Sequence, residues 1–164
     1  MDLSIVTGAG SVISNVLDYT KWIKALINTS CPISKEGYKA MLASRSILEK
    51  GDDPLPFTGP QTYALGWITG TYQGYEFFTH GGGMEAFGAE VIFFPALKYG
   101  IVSLGNTATT SNAVEERLMW HLMDEKLDIP NEKRFDWKKT HRNLCPSLGR
   151  LLTQITVTKS PYSA

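Results

Sequence analysis

The sequence predicts an α+β fold, an antiparallel β-sheet covered by helices. Two observations carry this. Helical spacing of apolar residues appears near both ends of the first 126 residues, and between them lie short aromatic and β-branched runs punctuated by Gly and Pro. With 164 residues, 43% hydrophobic and 20% charged, the chain has the profile of an ordinary globular domain. Folding at this size removes roughly 70% of the unfolded chain's surface from water, so a core forms without staples.

The elements follow in order. In "SVISNVLDYTKWIKALIN", Ser14 or Asn15 caps a first helix whose Val16, Tyr19, Ile23, Leu26 and Ile27 share one face. "SKEGYKAMLASRSIL" predicts a second, shorter helix, with Ser34 as cap and Tyr38, Met41 and Leu42 inward. "EKGDDPLPFTGPQ" is dense in Gly, Pro and Asp and reads as loop. From Thr62 onward "TYALGWITGTY", "YEFFTH", "AEVIFF" and "YGIVSLG" read as antiparallel strands, the last two forming a hairpin over residues 89 to 104. "NAVEERLMWHLMDEKL" returns to helical spacing, with Asn112 and Glu115 placed for a capping box and Val114, Leu118, Met119, Leu122 and Met123 as the buried stripe. Trp22, Trp67 and Trp120 read as core or boundary packing. Residues 127–164 are basic and weakly periodic, and are expected to be a tail or linker, partly disordered.

Composition also limits function. The 16 basic and 16 acidic residues balance and form no basic stripe, which argues against nucleic acid as a partner. No stretch approaches the about 18 apolar residues of a membrane span, and no signal peptide precedes the first helix, so no membrane partner is expected and the location is cytoplasmic by default. Cys31 and Cys145 form no C-x-x-C pair and read as free thiols. His121 and His141 lack metal-ligand spacing with each other or with Cys145, so neither a metal nor a cofactor is expected.

The segment "FFTHGGGMEAFGAE", residues 77 to 90, carries the chemistry, because glycine weakens a strand interior and a cluster marks close approach of a ligand or another backbone. A phosphate loop would need G-x-x-x-x-G-K-[ST] or G-x-G-x-x-G leading into a helix, whereas a hairpin follows here. An α/β-hydrolase oxyanion loop reads HGGG, but the matching G-x-S-x-G elbow is absent. Two readings remain. Either His80 is a strand histidine followed by a bulged glycine turn, or it ends a strand beside a catalytic cleft.

The second reading gains from a resemblance that runs in order through residues 8 to 126. "GSVISNVLDYTKWI", "YALGW", "HGGGMEAFGAEVIFFP" and "YGIVSLGN" are similar to successive segments of the serine β-lactamase and penicillin-binding-protein superfamily, in its class C β-lactamase, D-alanyl peptidase and esterase branch. "DEKLDIPNEKRFDWKK" is similar to the stretch by which members leave the catalytic core for an additional domain. The resemblance implies a partial β-lactamase/transpeptidase-like fold over residues 1–126. It implies that His80 and Gly83 are catalytic, His80 as a donor beside the nucleophile and Gly83 through an oxyanion-hole N–H, and that Gly81 and Gly82 receive a small-molecule amide or ester substrate. Histidine in place of lysine leans towards esterase or peptidase relatives.

The family's nucleophile lies in S-x-x-K and its second motif is Y-x-N or S-x-N, and none of these occurs in the 164 residues. The resemblance therefore implies the C-terminal portion of a serine hydrolase acting on an amide, β-lactam or ester through an acyl-enzyme, inactive alone, or else a non-catalytic interaction module or remnant of such an enzyme. In the family the strand matching "YGIVSLG" pairs with N-terminal strands outside this sequence. An open edge, and with it self-association, is expected.

Overall fold

The computed structural model describes residues 7–49, 51, 54–107 and 111–137. Four helices, α1 (Thr7–Gly10), α2 (Val16–Ile27), α3 (Lys35–Leu42) and α4 (Ser111–Lys126), accompany six strands: β1 (Ser46–Leu48), β2 (Gln61–Tyr63), β3 (Ile68–Tyr72), β4 (Tyr75–Met84), β5 (Phe87–Phe94) and β6 (Tyr99–Gly105). The strands form one antiparallel sheet in the order β1-β2-β3-β4-β5-β6.

Side-chain alternation explains why this sheet needs helices on both faces. Strands β4 and β5 each carry a Phe-Phe pair, and neighbouring residues of a strand point to opposite faces. Phe78 and Phe93 are register partners, stack at 5.2 Å and join Ile23, Leu26, Ile27, Trp67, Val91 and Val102 in one buried cluster. Phe77 and Phe94 point the other way, into a cluster with Tyr72, Ile92, Ile101, Met119, Trp120 and Met123. Helix α2 thus covers the first face and α4 the second. Burying any one of these large side chains contributes about 1.5–3 kcal/mol, so the two aromatic doublets fix the layering more firmly than helix propensity does.

Helix α2, the first that the sequence predicts, starts where the sequence places it. Asn15 Oδ1 accepts from the Leu17 and Asp18 amides at 3.0 and 3.1 Å, satisfying two donors that the first turn leaves unpaired. Helix α3, capped by Ser34, docks on it through the Tyr38 hydroxyl, which donates to the Leu26 carbonyl at 2.5 Å. Tyr38, Met41 and Leu42 face the core as expected, each only partly buried. The helix stops earlier than "SKEGYKAMLASRSIL" suggests. Arg45 donates its amide to the Tyr63 carbonyl at 2.9 Å and residues 46–48 pair with β2, leaving Ile47 exposed. A continued helix would lose those sheet bonds and gain no burial.

Two further expectations change. The run "TYALGWITGTY" is two strands, because the Ala64 amide bonds back to the Trp67 carbonyl at 2.7 Å and closes a turn containing Gly66 at φ 77°. The capping box at α4 does not form. Asn112 turns its side chain towards the sheet, and Glu115 is buried with neither oxygen hydrogen-bonded among the described residues. On α4 the buried set is Val114, Met119, Trp120 and Met123, joined by Ser111, Glu115 and Asp124, while Leu118 and Leu122 are half-buried. The Tyr72 hydroxyl donates to Asp124 across that core, and burial pushes its pKa up, so it stays a donor throughout.

Trp67 and Trp120 are core residues, and Trp22 stacks on Trp67 at 5.5 Å while staying partly exposed. In the described part of the tail, Leu127 and Trp137 pack against the second cluster. The other residues of the predicted tail, 138–164, with His141 and Cys145, lie outside the described residues. Cys31 is a free thiol. No helix among the described residues is long and apolar enough to cross a membrane.

Helix α4 seats against the sheet over a row of glycines. Gly83, Gly88 and Gly105 are register neighbours across β4, β5 and β6. A Cβ on Gly88 would stand 2.5 Å from Ser111 Cβ and 2.9 Å from Asn112 Oδ1, and one on Gly105 would collide with Glu115 Oε1. Gly82, one residue away on the opposite face, has nothing within 4 Å of a built Cβ. Gly88→Ala is therefore expected to lower unfolding stability by about 1–3 kcal/mol, whereas Gly82→Ala leaves it within about 0.5 kcal/mol of the parent. Urea denaturation of the two variants side by side checks this.

Candidate active site

Strand β4 does not end at His80. It continues through all three glycines to Met84, in unbroken register with β5: His80 with Val91, Gly81 with Glu90, Gly82 with Ala89 and Gly83 with Gly88. The bulged glycine turn is thereby excluded, and so is a histidine at the strand's end. The turn comes later, at Glu85, whose φ is 55°.

On its other edge β4 is only half covered. Strand β3 pairs with Tyr75 to Thr79 and stops at Ile68, so from His80 to Met84 that edge has no strand beside it among the described residues. The result is a ledge of backbone braced by β5 and open on the side where an extended substrate can lie. His80 stands exposed at the start of the ledge. Its Nε2 lies 3.1 Å from the Tyr63 hydroxyl, with the rings 6.2 Å apart and nearly perpendicular. Tyr63 is the last residue of β2, just before the turn that the Ala64 amide closes on the Trp67 carbonyl.

The glycines differ in what they leave room for. Gly82 shares a face with His80 and opens onto empty space, which suits a ligand lying against the strand. Gly81 and Gly83 face α4. A Cβ on Gly81 would strike the Glu90 carboxylate, and one on Gly83 would stand 3.4 Å from Asn112 Oδ1.

Behind the ledge lies a polar layer that the sequence reading did not assign. Asn112 Nδ2 donates to the Gly82 carbonyl at 2.8 Å and lies 3.3 Å from Glu90 Oε1. Glu115, 4% exposed, sits under Gly88 and Gly105. Its pKa is pushed up to about 7, first by burial and then by the nearby Glu90. A carboxyl with no partner is better tolerated neutral, and the protonated acid is the form this site favours. Tyr63 could have been suspected from its place in "YALGW". Glu90 stands out as the one charge within "AEVIFF", and Glu115 as a charge on the sheet-facing side of α4. His121 is exposed, 3.3 Å from Glu125 and 3.3 Å from Arg134, far from the ledge in role and partners. Among the described residues no group of three or more His, Cys, Asp or Glu is arranged to hold a metal ion.

The antiparallel sheet between helices, with the His80–Gly83 strand lying half uncovered, is a partial penicillin-binding-protein-like fold. The octameric penicillin-binding protein homologue from Pyrococcus abyssi superposes with a TM-score of 0.62 over 74% of this chain and 26% of its own, at 22% identity. Residues 1–123 match the family described as Beta-lactamase, and the chain belongs to that family. It is 41% identical over 140 residues to the unguisins hydrolase ungD' of Aspergillus campestris, covering 85% of this chain and 26% of the relative. It is 37% identical over 153 residues to the unguisins hydrolase ungD of Aspergillus violaceofuscus, covering 85% and 27%. The chain thus spans about a quarter of the length of the curated relatives it matches.

Glu115 gives a pH test. Its folded pKa lies above the ordinary value of 4.5, so its stabilising contribution is complete below about 4.5 and is lost as pH rises through about 7. Glu115→Gln keeps the shape and removes the titration. Relative to the parent, the variant is expected to gain on the order of 2 kcal/mol between pH 5 and pH 8, read from chemical denaturation at each pH.

Proposed function

We propose that the chain forms one wall of the active site of a serine hydrolase that cleaves an amide or ester through an acyl-enzyme. The observation that carries this is the open ledge, with His80 exposed at its start and Gly82 facing empty space. In this reading a serine oxygen, supplied by sequence other than these 164 residues, attacks the substrate carbonyl carbon. The serine's proton passes to the leaving amine or alcohol as the C–N or C–O bond breaks, and water then attacks the acyl-enzyme, releasing the acid and returning a proton to the serine oxygen. His80 donates towards the reacting carbonyl or leaving group, Tyr63 holds its ring by the Nε2 contact, and the Gly83 N–H stabilises the oxyanion. Gly81 and Gly82 let the acyl part lie against the backbone. The name of the two relatives, unguisins hydrolase, makes unguisins the first substrates to try.

A second reading, that of a non-catalytic interaction module, is favoured by the absence of S-x-x-K, Y-x-N and S-x-N from the sequence. The two separate in a labelling experiment. The 164-residue chain is expected to give no adduct with a fluorophosphonate by intact mass, while a longer polypeptide that adds S-x-x-K to it gives one. An adduct on the 164-residue chain would show a nucleophile within it and overturn the assignment of the serine to other sequence. No adduct and no hydrolysis from the longer polypeptide would leave the interaction module standing. In that active polypeptide His80→Ala is expected to lower kcat/KM about 10²-fold, the scale of a lost transition-state donor.

The proposal extends to the free side of β6. That strand is the sheet's edge among the described residues, and Leu104 on it is exposed. Its unpaired backbone groups are offered to another strand, from a partner segment or a second copy. Sedimentation of the 164-residue chain is expected to show association that rises with concentration; a monodisperse monomer would count against this docking edge.

A further inference from the structure

Three consecutive glycines make a poor ledge by themselves. They bring no side chains to pack and lose more conformational freedom on ordering than any other residues. Strand β5 pins one edge of His80–Met84, and the other edge has no strand among the described residues. Something else must hold the segment, and it comes from behind.

The first turn of α4 supplies it. The Thr107 amide donates to Ser111 Oγ at 2.9 Å, tying the approach of the chain to the helix start. Gly88 and Gly105 let that turn descend onto the sheet, since a side chain at either position would strike Ser111 or Glu115. Asn112 then faces the strand pair. Its Nδ2 is 2.8 Å from the Gly82 carbonyl, 3.4 Å from the Ala89 carbonyl and 3.3 Å from Glu90 Oε1. All three are acceptors, which orients the amide with nitrogen towards the sheet. The shortest of these bonds goes to the middle glycine, whose register partner Ala89 offers the second carbonyl.

We propose that Asn112 is a positioning residue: its Nδ2 bond to the Gly82 carbonyl, together with its contact to Ala89, holds the Gly81–Gly83 backbone at the height the ledge requires. It touches no substrate and acts through the glycine carbonyl. The inference rests on the reading of the ledge as the substrate-facing wall. It extends that reading by making the rear of the strand, and not its open face, responsible for setting the wall's position. Glu90 and Glu115 are the titratable groups that face Asn112 and the first turn from β5 and α4, and they bear on the test.

The experiment is nuclear magnetic resonance on the 164-residue chain. In the unmodified protein a scalar coupling through the hydrogen bond is expected between Asn112 Nδ2 and the Gly82 carbonyl carbon. Amide exchange is then compared between Asn112→Ala, Asn112→Asp and the parent, as protection at Gly81–Met84 and Phe87–Glu90 relative to Phe78 and Phe93 in the same ladder. Both variants are expected to lose at least tenfold in that relative protection at neutral pH. Asn112→Asp should regain it as the pH falls through the range in which the introduced acid, beside Glu90 and Glu115, takes up a proton and can again donate, a recovery that a lost packing contact would not give. Unchanged relative protection overturns the proposal even where the coupling is seen, and absence of the coupling overturns it even if neither variant folds. None of these readouts uses hydrolysis, so a failure here leaves the roles of His80 and Gly83 standing, and a failure to hydrolyse leaves these results standing.

Discussion

The arrangement depends on one steric constraint, the descent of a helix N-terminus onto three strands at once. Ordinary side chains on the second face would keep α4 a full side-chain layer away from β4, β5 and β6. Instead Gly83, Gly88 and Gly105 line up across the register and leave a trough in which Ser111, Asn112 and Glu115 come to rest. Everything polar behind the ledge follows from that close approach. The aromatic core farther along α4, with Met119, Trp120 and Met123 over Phe77, Ile92 and Phe94, then supplies the burial that holds the helix down.

The cost of the trough is visible in the same place. Glu115 is carried into a buried site where neither of its oxygens has a hydrogen-bond partner among the described residues, and burial raises its pKa to about 7. Tyr72 and Asp124, two turns on, show the contrasting solution, a buried carboxylate oxygen with a hydroxyl directed at it. The satisfied pair lies in the aromatic core and the unsatisfied carboxyl lies under the ledge. A group left unpartnered beside a candidate site is the kind of local inconsistency that stability alone does not explain.

How far the sequence could be read follows from which signals are local. The α2 cap at Asn15, the inward stripe of Ile23, Leu26 and Ile27, and the β5–β6 hairpin all rest on spacing within a dozen residues, and all appear in the fold. The antiparallel sheet, the helical cover and the family resemblance were legible for the same reason. Less legible was anything set by a neighbour distant in sequence. Residues 46–48 have no strand signal of their own and pair only because β2 is there to receive them. Asn112 and Glu115 have capping-box spacing, but a carbonyl 30 residues away at Gly82 competes for the asparagine and wins. Likewise a run of glycines is ambiguous in sequence between a turn and a strand that something approaches, and only the pairing of His80–Gly83 with β5 decides it.

The order of the sheet has a consequence for how the fold is reached. Each strand pairs only with its neighbours in sequence, the outer two with one neighbour each, so the six form a plain meander with no crossover. Most pairings therefore close over short loops, such as the two-residue link between Tyr72 and Tyr75, where Gln73 and Gly74 both adopt positive φ. Short closures cost little chain entropy, and topologies rich in them form quickly. The meander can zip strand by strand as the chain emerges, with α4 arriving last to lock the glycine trough.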